Sequence, residues 1–317
     1  MMQPVGIHHI TALSGDPQAT LDFYAGVLGL RLTKRTVNHD DPGTYHLYFS
    51  NQAAEVGTHL TFFPQSNAPR GKRGGGQVGD VVFAVPPRSM AFWKRRLIEH
   101  GTKYHVEQRL GESVLWFKDS FGLSLGIVER DVEGGNAWDG IVESQYAITG
   151  IAFATLLSMF PDHSKQHLKR TFGFKLEDSD AAFYRLNGTV ETGGELHLSR
   201  TVHGRGIEGA GTVHHIAFRA ANDDHQREIL HALDGQNYRT TQIIDRTYFR
   251  SVYYRECGFI LFEVATDGPG FTVDEAFDQL GAKLTLPAHL EKKRQRIQSA
   301  LRSLEIQKGY LEKPSQP

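Results

Sequence analysis

The chain spells "GIHHITAL" from Gly6 and "TVHHIAF" from Thr212, and this repeated opening constrains its fold more than any other feature. Each copy puts a His-His pair at the head of an apolar run with the alternation of a β-strand. After the first pair, "SGDPQATLDFYAGVLGL" offers Asp16 as a helix N-cap and Pro17 at the first helical position. Leu21, Tyr24 and Leu28 fall on one helical face, and Gly29 stands where a helix end favours a left-handed residue. "LRLTKRTV", "TYHLYFS" and "GTHLTFF" then supply three strands. The same order of strand, helix and three strands restarts near Gly79, Ala147 and Thr212. A period of about 65–70 residues is too long for the common solenoid repeats and suits a small βαβββ module. One module alone leaves a sheet face bare. The expectation is therefore a mixed α+β fold of four βαβββ modules paired into two curved, barrel-like halves.

The 317 residues leave room for about two domains. Along the sequence they divide into an N-terminal half over residues 1–135 (modules one and two), a C-terminal half over 140–270 (modules three and four) and a helical tail over 271–317. "RDVEGGNAWDG", Arg130 to Gly140, rich in glycine and acid, separates the halves. Pro64 to Gln77 reads as a flexible connector, with an active-site lid as the alternative. The charge run in "LPAHLEKKRQRIQSALRSLEIQ" reads as the solvated face of a helix, followed by a polar, frayed end. Lys+Arg at 35 nearly cancels Asp+Glu at 36, which excludes a global field for nucleic acid or an acidic membrane. The single cysteine, Cys257, excludes an intrachain disulfide and a Cys-based zinc cluster. No leader-like N-terminus and no run of about 18 apolar residues occurs, so a cytoplasmic location is expected.

The four copies allow an internal comparison. At the position of His9 the later modules carry Val82, Gly150 and His215. Five residues after the glycine that opens the last strand, the modules carry Phe62, Ile127, then Leu198 or Ser199, and finally Glu263. Apolar or neutral residues are what the fold alone would select there, so His9, His215 and Glu263 stand out. Two imidazoles and one carboxylate on one face suit a divalent metal with open positions for substrate and oxygen. Ligand atoms must approach one ion within about 2.0–2.3 Å, so modules one and four are expected to face each other, with modules two and three forming a metal-free half. Alternation puts Thr11 on the face of His9 and turns His8 and His214 away, unless a bulge intervenes.

The motifs "HHIT", "KRTVNHDDPGTYHLYF", "VHHIAF" and "DRTYFRSVYYRECGFILFE" resemble the vicinal-oxygen-chelate superfamily, which includes glyoxalase I, fosfomycin-resistance proteins and extradiol dioxygenases. Within it the chain resembles hydroquinone-type ring-cleaving dioxygenases over residues 6–270, and more weakly over the tail. The resemblance implies Fe(II), or Mn(II), on His9, His215 and Glu263, with Thr11, His214, Arg246 and Tyr253 around it. It further implies a small aromatic diol and O2 as partners, no nucleic acid and no membrane, and is compatible with a homo-oligomer. Zinc or nickel can displace iron during purification, because zinc binds such sites more tightly. A non-redox isomerase or thiol transferase is the alternative, but Phe62 stands where a fourth ligand would be needed. A protein that only sequesters an aromatic ligand would not need the trio at all. His46 reads as a packed strand histidine, and Glu256-Cys257 departs from the plain Pro/Gly turn expected before the last strand.

Overall fold

The computed structural model describes residues 3–132 and 136–311. Module one comprises β1 (Ile7–Ser14), α1 (Pro17–Leu21), β2 (Arg31–Val37), β3 (Tyr45–Ser50) and β4 (His59–Pro64). Module two comprises β5 (Gln77–Val85), α2 (Met90–Glu99), β6 (Tyr104–Arg109), β7 (Glu112–Lys118) and β8 (Ser124–Glu129). Module three comprises β9 (Gly150–Leu157), α3 (Pro161–His167), β10 (Lys175–Ser179), β11 (Phe183–Asn187) and β12 (Glu195–Ser199). Module four comprises β13 (Thr212–Ala220), α4 (Asp223–Asp234), β14 (Ile244–Asp245), β15 (Arg250–Arg255) and β16 (Leu261–Thr266).

Local chemistry sets these elements. The Asp16 carboxylate accepts the Ala19 backbone N–H at 2.9 Å, capping α1. The helix then widens into a π turn over Asp22–Val27. Leu21, Tyr24 and Leu28 are fully buried, Tyr24 packs 4.2 Å from Phe62, and Gly29 adopts φ +68° at the helix end. In each module the last strand returns parallel to the first, so that hydrophobic alternation buries one face under the helix.

Two eight-stranded, curled sheets result, in the orders β14-β15-β16-β13-β1-β4-β3-β2 and β10-β11-β12-β9-β5-β8-β7-β6. One unites modules one and four and the other modules two and three, as the ligand argument requires. The sequence division at 130–140 is therefore not the division between sheets, since each sheet takes one module from each half; residues 133–135 lie outside the described residues.

The ladders correct the position count. Thr11 pairs with Thr61, Ala84 with Val128 and Ala217 with Glu263. Thr61 and Val128, not Phe62 and Ile127, are thus the counterparts of Glu263. In module three Phe153 pairs with Glu195, so Leu198 and Ser199 lie farther along the strand. The number of residues between turn glycine and ladder differs among modules, and a slip of one residue moves a side chain to the opposite face.

Two segments are more ordered than the sequence suggests. The Pro64–Gln77 segment is neither a loose connector nor a lid over its whole length: isolated bridges join Arg70 to Ala210, Lys72 to Ile207 and Gly75 to Arg205, pairing it with the connector between modules three and four. The tail is a strap with a single α-helix, α5 (Arg294–Ala300), among short 3-10 turns, and it runs along the free edge of β2. Leu290, Ile297, Leu301 and Tyr310 are buried, so the run is only half solvated; residues 312–317 lie outside the described residues. Covering an edge strand removes a site for unwanted pairing. Lys34 on β2 anchors the strap: its fully buried ammonium lies 2.6 Å from Asp274 and 2.5 Å from Glu275.

Replacing Lys34 with Met would strand the buried Glu275 carboxylate. The expected loss is on the order of 3–5 kcal/mol, read as a lower denaturant midpoint.

Candidate active site

The pairing of β1 with β13 positions the site. Its register is antiparallel, with His9 opposite Ala217 and Thr11 opposite His215, so each histidine leads its strand at an equivalent place. The register slips between Ile7 and His9, and again between Thr11 and Ala12. His8 and His214 are therefore the extra residues of two β-bulges, which re-aim side chains. Pure alternation would turn both away; the bulges bring them back beside their neighbours.

His9 Nε2 lies 3.3 Å from His215 Nε2, and Glu263 Oε2 lies 3.4 Å from the first and 2.9 Å from the second. All three side chains are buried, and they form the one cluster of ligating side chains found among the described residues. Burial alone would raise the Glu263 pKa, but His9 and His215 hold its carboxyl well below the usual range. Its second oxygen, Oε1, accepts from the Ser251 hydroxyl.

The bulged histidines set the tautomers. His8 Nε2 lies 3.1 Å from the Thr266 carbonyl, which can only accept, so this nitrogen carries the proton. Burial foremost, then the neighbouring His9 and His59, holds the His8 pKa well below the ordinary value, so the ring is neutral and its Nδ1 is bare. That bare nitrogen, 2.9 Å from His9 Nδ1, accepts the Nδ1 proton of His9, which leaves Nε2 as the His9 nitrogen that faces His215 and Glu263. His214 Nδ1 stands 2.8 Å from His215 Nδ1 in the equivalent contact. The residues fit a divalent metal: two imidazoles whose Nε2 atoms meet one ionised carboxylate, and an outer partner on each Nδ1.

A cavity of about 560 Å³ opens beside these atoms, within the range of small-ligand sites. Arg246, Tyr253, His214 and His46 line it, together with the apolar Leu13, Phe63, Ile244, Phe249 and Leu261. Tyr253 is the cross-strand partner of Glu263, and its ring centroid is 5.6 Å from that of His215. Arg246 reaches across the mouth to Asp40 at 3.0 Å and lies 5.4 Å from the centre of the Tyr253 ring. Thr11 does not line the cavity: the side chain is fully buried and hydrogen-bonded to Thr61.

Sequence reasoning missed Asp40, Thr61, Ser251 and the tautomer-setting role of His8. It also read His46 as packing alone, whereas the ring borders the cavity. The Glu256 carboxylate accepts from Ser164 at 2.6 Å and from the Ile260 backbone at 3.1 Å, which fixes the unusual turn leading into β16. Among the described residues the second sheet holds no such cluster. Val82 stands at the position of His9 in an apolar cluster, and Glu195, which pairs with Phe153 as Glu263 pairs with Ala217, is held in an ion network with Arg130 and Glu112. A larger, more open groove of about 880 Å³ passes Phe23, Arg109 and Lys118 and lacks the ligand trio.

βαβββ modules paired into two curled eight-stranded sheets define the glyoxalase-type fold class. The chain belongs to the Glyoxalase/Bleomycin resistance protein/Dioxygenase superfamily, whose family model matches residues 6–127. It is 46% identical over 303 residues, 95% of the chain and 97% of the relative, to the protein named "Putative ring-cleaving dioxygenase MhqO" from Bacillus subtilis. It is 32% identical to the chlorohydroquinone/hydroquinone 1,2-dioxygenase of Sphingobium indicum, covering 90% of the chain and 92% of that protein. A Bacillus subtilis crystal structure, described as a "putative dioxygenase", superposes with a TM-score of 0.94 at 45% identity, covering 97% of this chain and 99% of that one. Maize glyoxalase I shares the fold, with a TM-score of 0.63 at 11% identity over 84% of this chain and 93% of that one.

Buried neutral histidines make stability depend on pH. Burial lowers the pKa of His39 and His167 to about 4, against about 6.5 in an unfolded chain. Below about pH 6.5 the unfolded chain binds more protons, so the stabilisation present above that pH is lost as pH falls toward 4. The thermal midpoint of the metal-free protein is expected to drop across this window, and His167→Gln to flatten the drop.

Proposed function

We propose that the protein is a ring-cleaving dioxygenase that opens hydroquinone- or catechol-type aromatics with O2. Fe(II), with Mn(II) as the alternative, would be held by His9, His215 and Glu263. The observation carrying this reading is the buried, tautomer-set His-His-Glu face beside a cavity with one cationic, one phenolic and several apolar walls. The names of the relatives at 46% and 32% identity point the same way. Bound there, Fe(II) would supply open positions for a phenolate and O2 and a route for electron density between them. Cleavage of extradiol type is the finer part of this reading and rests on the ligand set.

The chain's own groups have separable tasks. The Arg246 guanidinium, held by Asp40 and facing the Tyr253 ring, stabilises negative charge on a substrate oxygen. The Tyr253 phenol is pushed up by burial foremost and then by Glu263, against the opposing Arg246, so it stays protonated and can donate a hydrogen bond or a proton. Phe63, Phe249, Ile244 and Leu261 pack the ring and exclude water. His214 and Thr11 complete the polar surround. A non-redox, glyoxalase-type reaction would call for a fourth protein ligand. The register gives that position to Thr61, whose hydroxyl is already engaged by Thr11 and His46.

Iron-loaded protein is expected to take up O2 with a panel of hydroquinones and catechols; no uptake with any of them overturns the reading. His215→Ala is expected to lose metal by elemental assay while circular dichroism shows the fold retained. Arg246→Ala and Tyr253→Phe are expected to keep metal content and lower kcat by about 10²–10³, with a smaller change in KM.

A further inference from the structure

Four buried side chains form a continuous hydrogen-bonded array between the cavity wall and the ligand cluster. Tyr48 Oη lies 2.9 Å from His46 Nδ1, His46 Nε2 lies 2.9 Å from Thr61 Oγ1, and Thr61 Oγ1 lies 2.8 Å from Thr11 Oγ1. The ladders impose this placement. Thr61 is the pairing partner of Thr11 on one side and of Tyr48 on the other, and His46 shares the Tyr48 face two residues away. Tyr48 and His46 line the cavity, whereas Thr61 is fully buried.

The array has a direction. Burial foremost, then His9 and other neighbours, holds the His46 pKa well below its ordinary value, so the ring is neutral, with one donor and one acceptor nitrogen. Burial also raises the Tyr48 pKa, so its phenol keeps its hydrogen. A bare imidazole nitrogen accepts better than a phenol oxygen, so Tyr48 donates to Nδ1 and Nε2–H donates to Thr61. The Thr61 hydroxyl, having accepted, donates to Thr11. The Thr11 hydroxyl hydrogen then finds no acceptor among the described residues. Thr11 shares a face with His9 and pairs with His215, so that hydrogen is available beside the ligand cluster.

We propose that Tyr48, His46 and Thr61 act as a positioning relay that fixes the Thr11 hydroxyl as a hydrogen-bond donor to an oxygen ligand at the His9–His215–Glu263 centre. That the oxygen belongs to a ring substrate or to O2 rests on the dioxygenase reading; the direction of the array does not. Such a donor stabilises charge on that oxygen only when its hydrogen is not turned back toward Thr61, and the tautomer of His46 decides this.

Thr61→Val breaks the array at nearly constant volume without touching the cavity or the trio. It is expected to keep metal content and KM while lowering kcat about tenfold or more, as for loss of a hydrogen bond to a charged group. Thr61→Ser, which keeps the hydroxyl, is expected to restore kcat. Thr11→Val should lower kcat at least as much, and the double valine variant no further than Thr11→Val alone, because the relay acts through Thr11. Parent-like kcat in Thr61→Val, or additive losses in the double variant, overturns the relay. A second measurement needs neither metal nor turnover: long-range ¹H–¹⁵N correlation spectra of the metal-free protein are expected to show His46 protonated on Nε2, and Tyr48→Phe to relax that preference. A His46 protonated on Nδ1 overturns the stated direction. If parent enzyme consumes no O2, the dioxygenase reading fails while the spectra still decide the relay.

Discussion

The antiparallel contact between β1 and β13 is the interaction on which the rest of the molecule depends. It joins the first module to the last, unites two four-stranded units in one curled sheet, and brings His9 to 3.3 Å from His215. Its two bulges are part of the same design. An unbroken ladder would send His8 and His214 to the opposite face, leaving both imidazoles of the cluster without the neighbour that sets their protonation. The doubled His-His therefore has two jobs: one ring faces the centre, and the other holds its Nδ1.

Much of this was legible in the sequence, because repeats carry their own control. The module order, the Asp16 cap, the pairing of modules one and four and the His9, His215 and Glu263 constellation follow from which copies depart from apolar choices. Counting from a turn glycine lands on Phe62 instead of Thr61, because turn length varies independently of the ladder. The Asp40–Arg246 contact joins residues far apart in sequence, and no periodicity reports it. The tail misled for a related reason: a charge run tells which face is wet, whereas Leu290, Ile297 and Leu301 tell that the other is not. His46 had no distinguishing signal, since a strand histidine looks the same whether or not its partners form a chain.

Electrostatically, the two sheets are opposites built from one plan. The first spends its interior on groups whose pKa values are strongly displaced: neutral His8 and His46, an ionised Glu263 and a protonated Tyr253. The second puts Val82, Ala84 and Val128 where the first has His9, Thr11 and Thr61, and keeps its charges in mutual pairs such as Arg130 with Glu112. Buried polar groups without partners are costly. The first sheet carries that cost beside its cavity, whereas the second pairs its buried Asp80 with Arg109 and its buried His197 with Glu195.

The chain order of the cluster has a consequence for biosynthesis. Its members come from residues 9, 215 and 263, so a growing polypeptide exposes the first long before the last leaves the ribosome. Modules two and three adjoin in sequence and can pair as soon as both emerge, whereas β1 must wait for β13 with its inner edge unsatisfied. A premature stop anywhere before residue 263 leaves a product without the complete constellation. The capacity to capture a cation is thus a property of the finished chain, switched on by the closing of its longest loop.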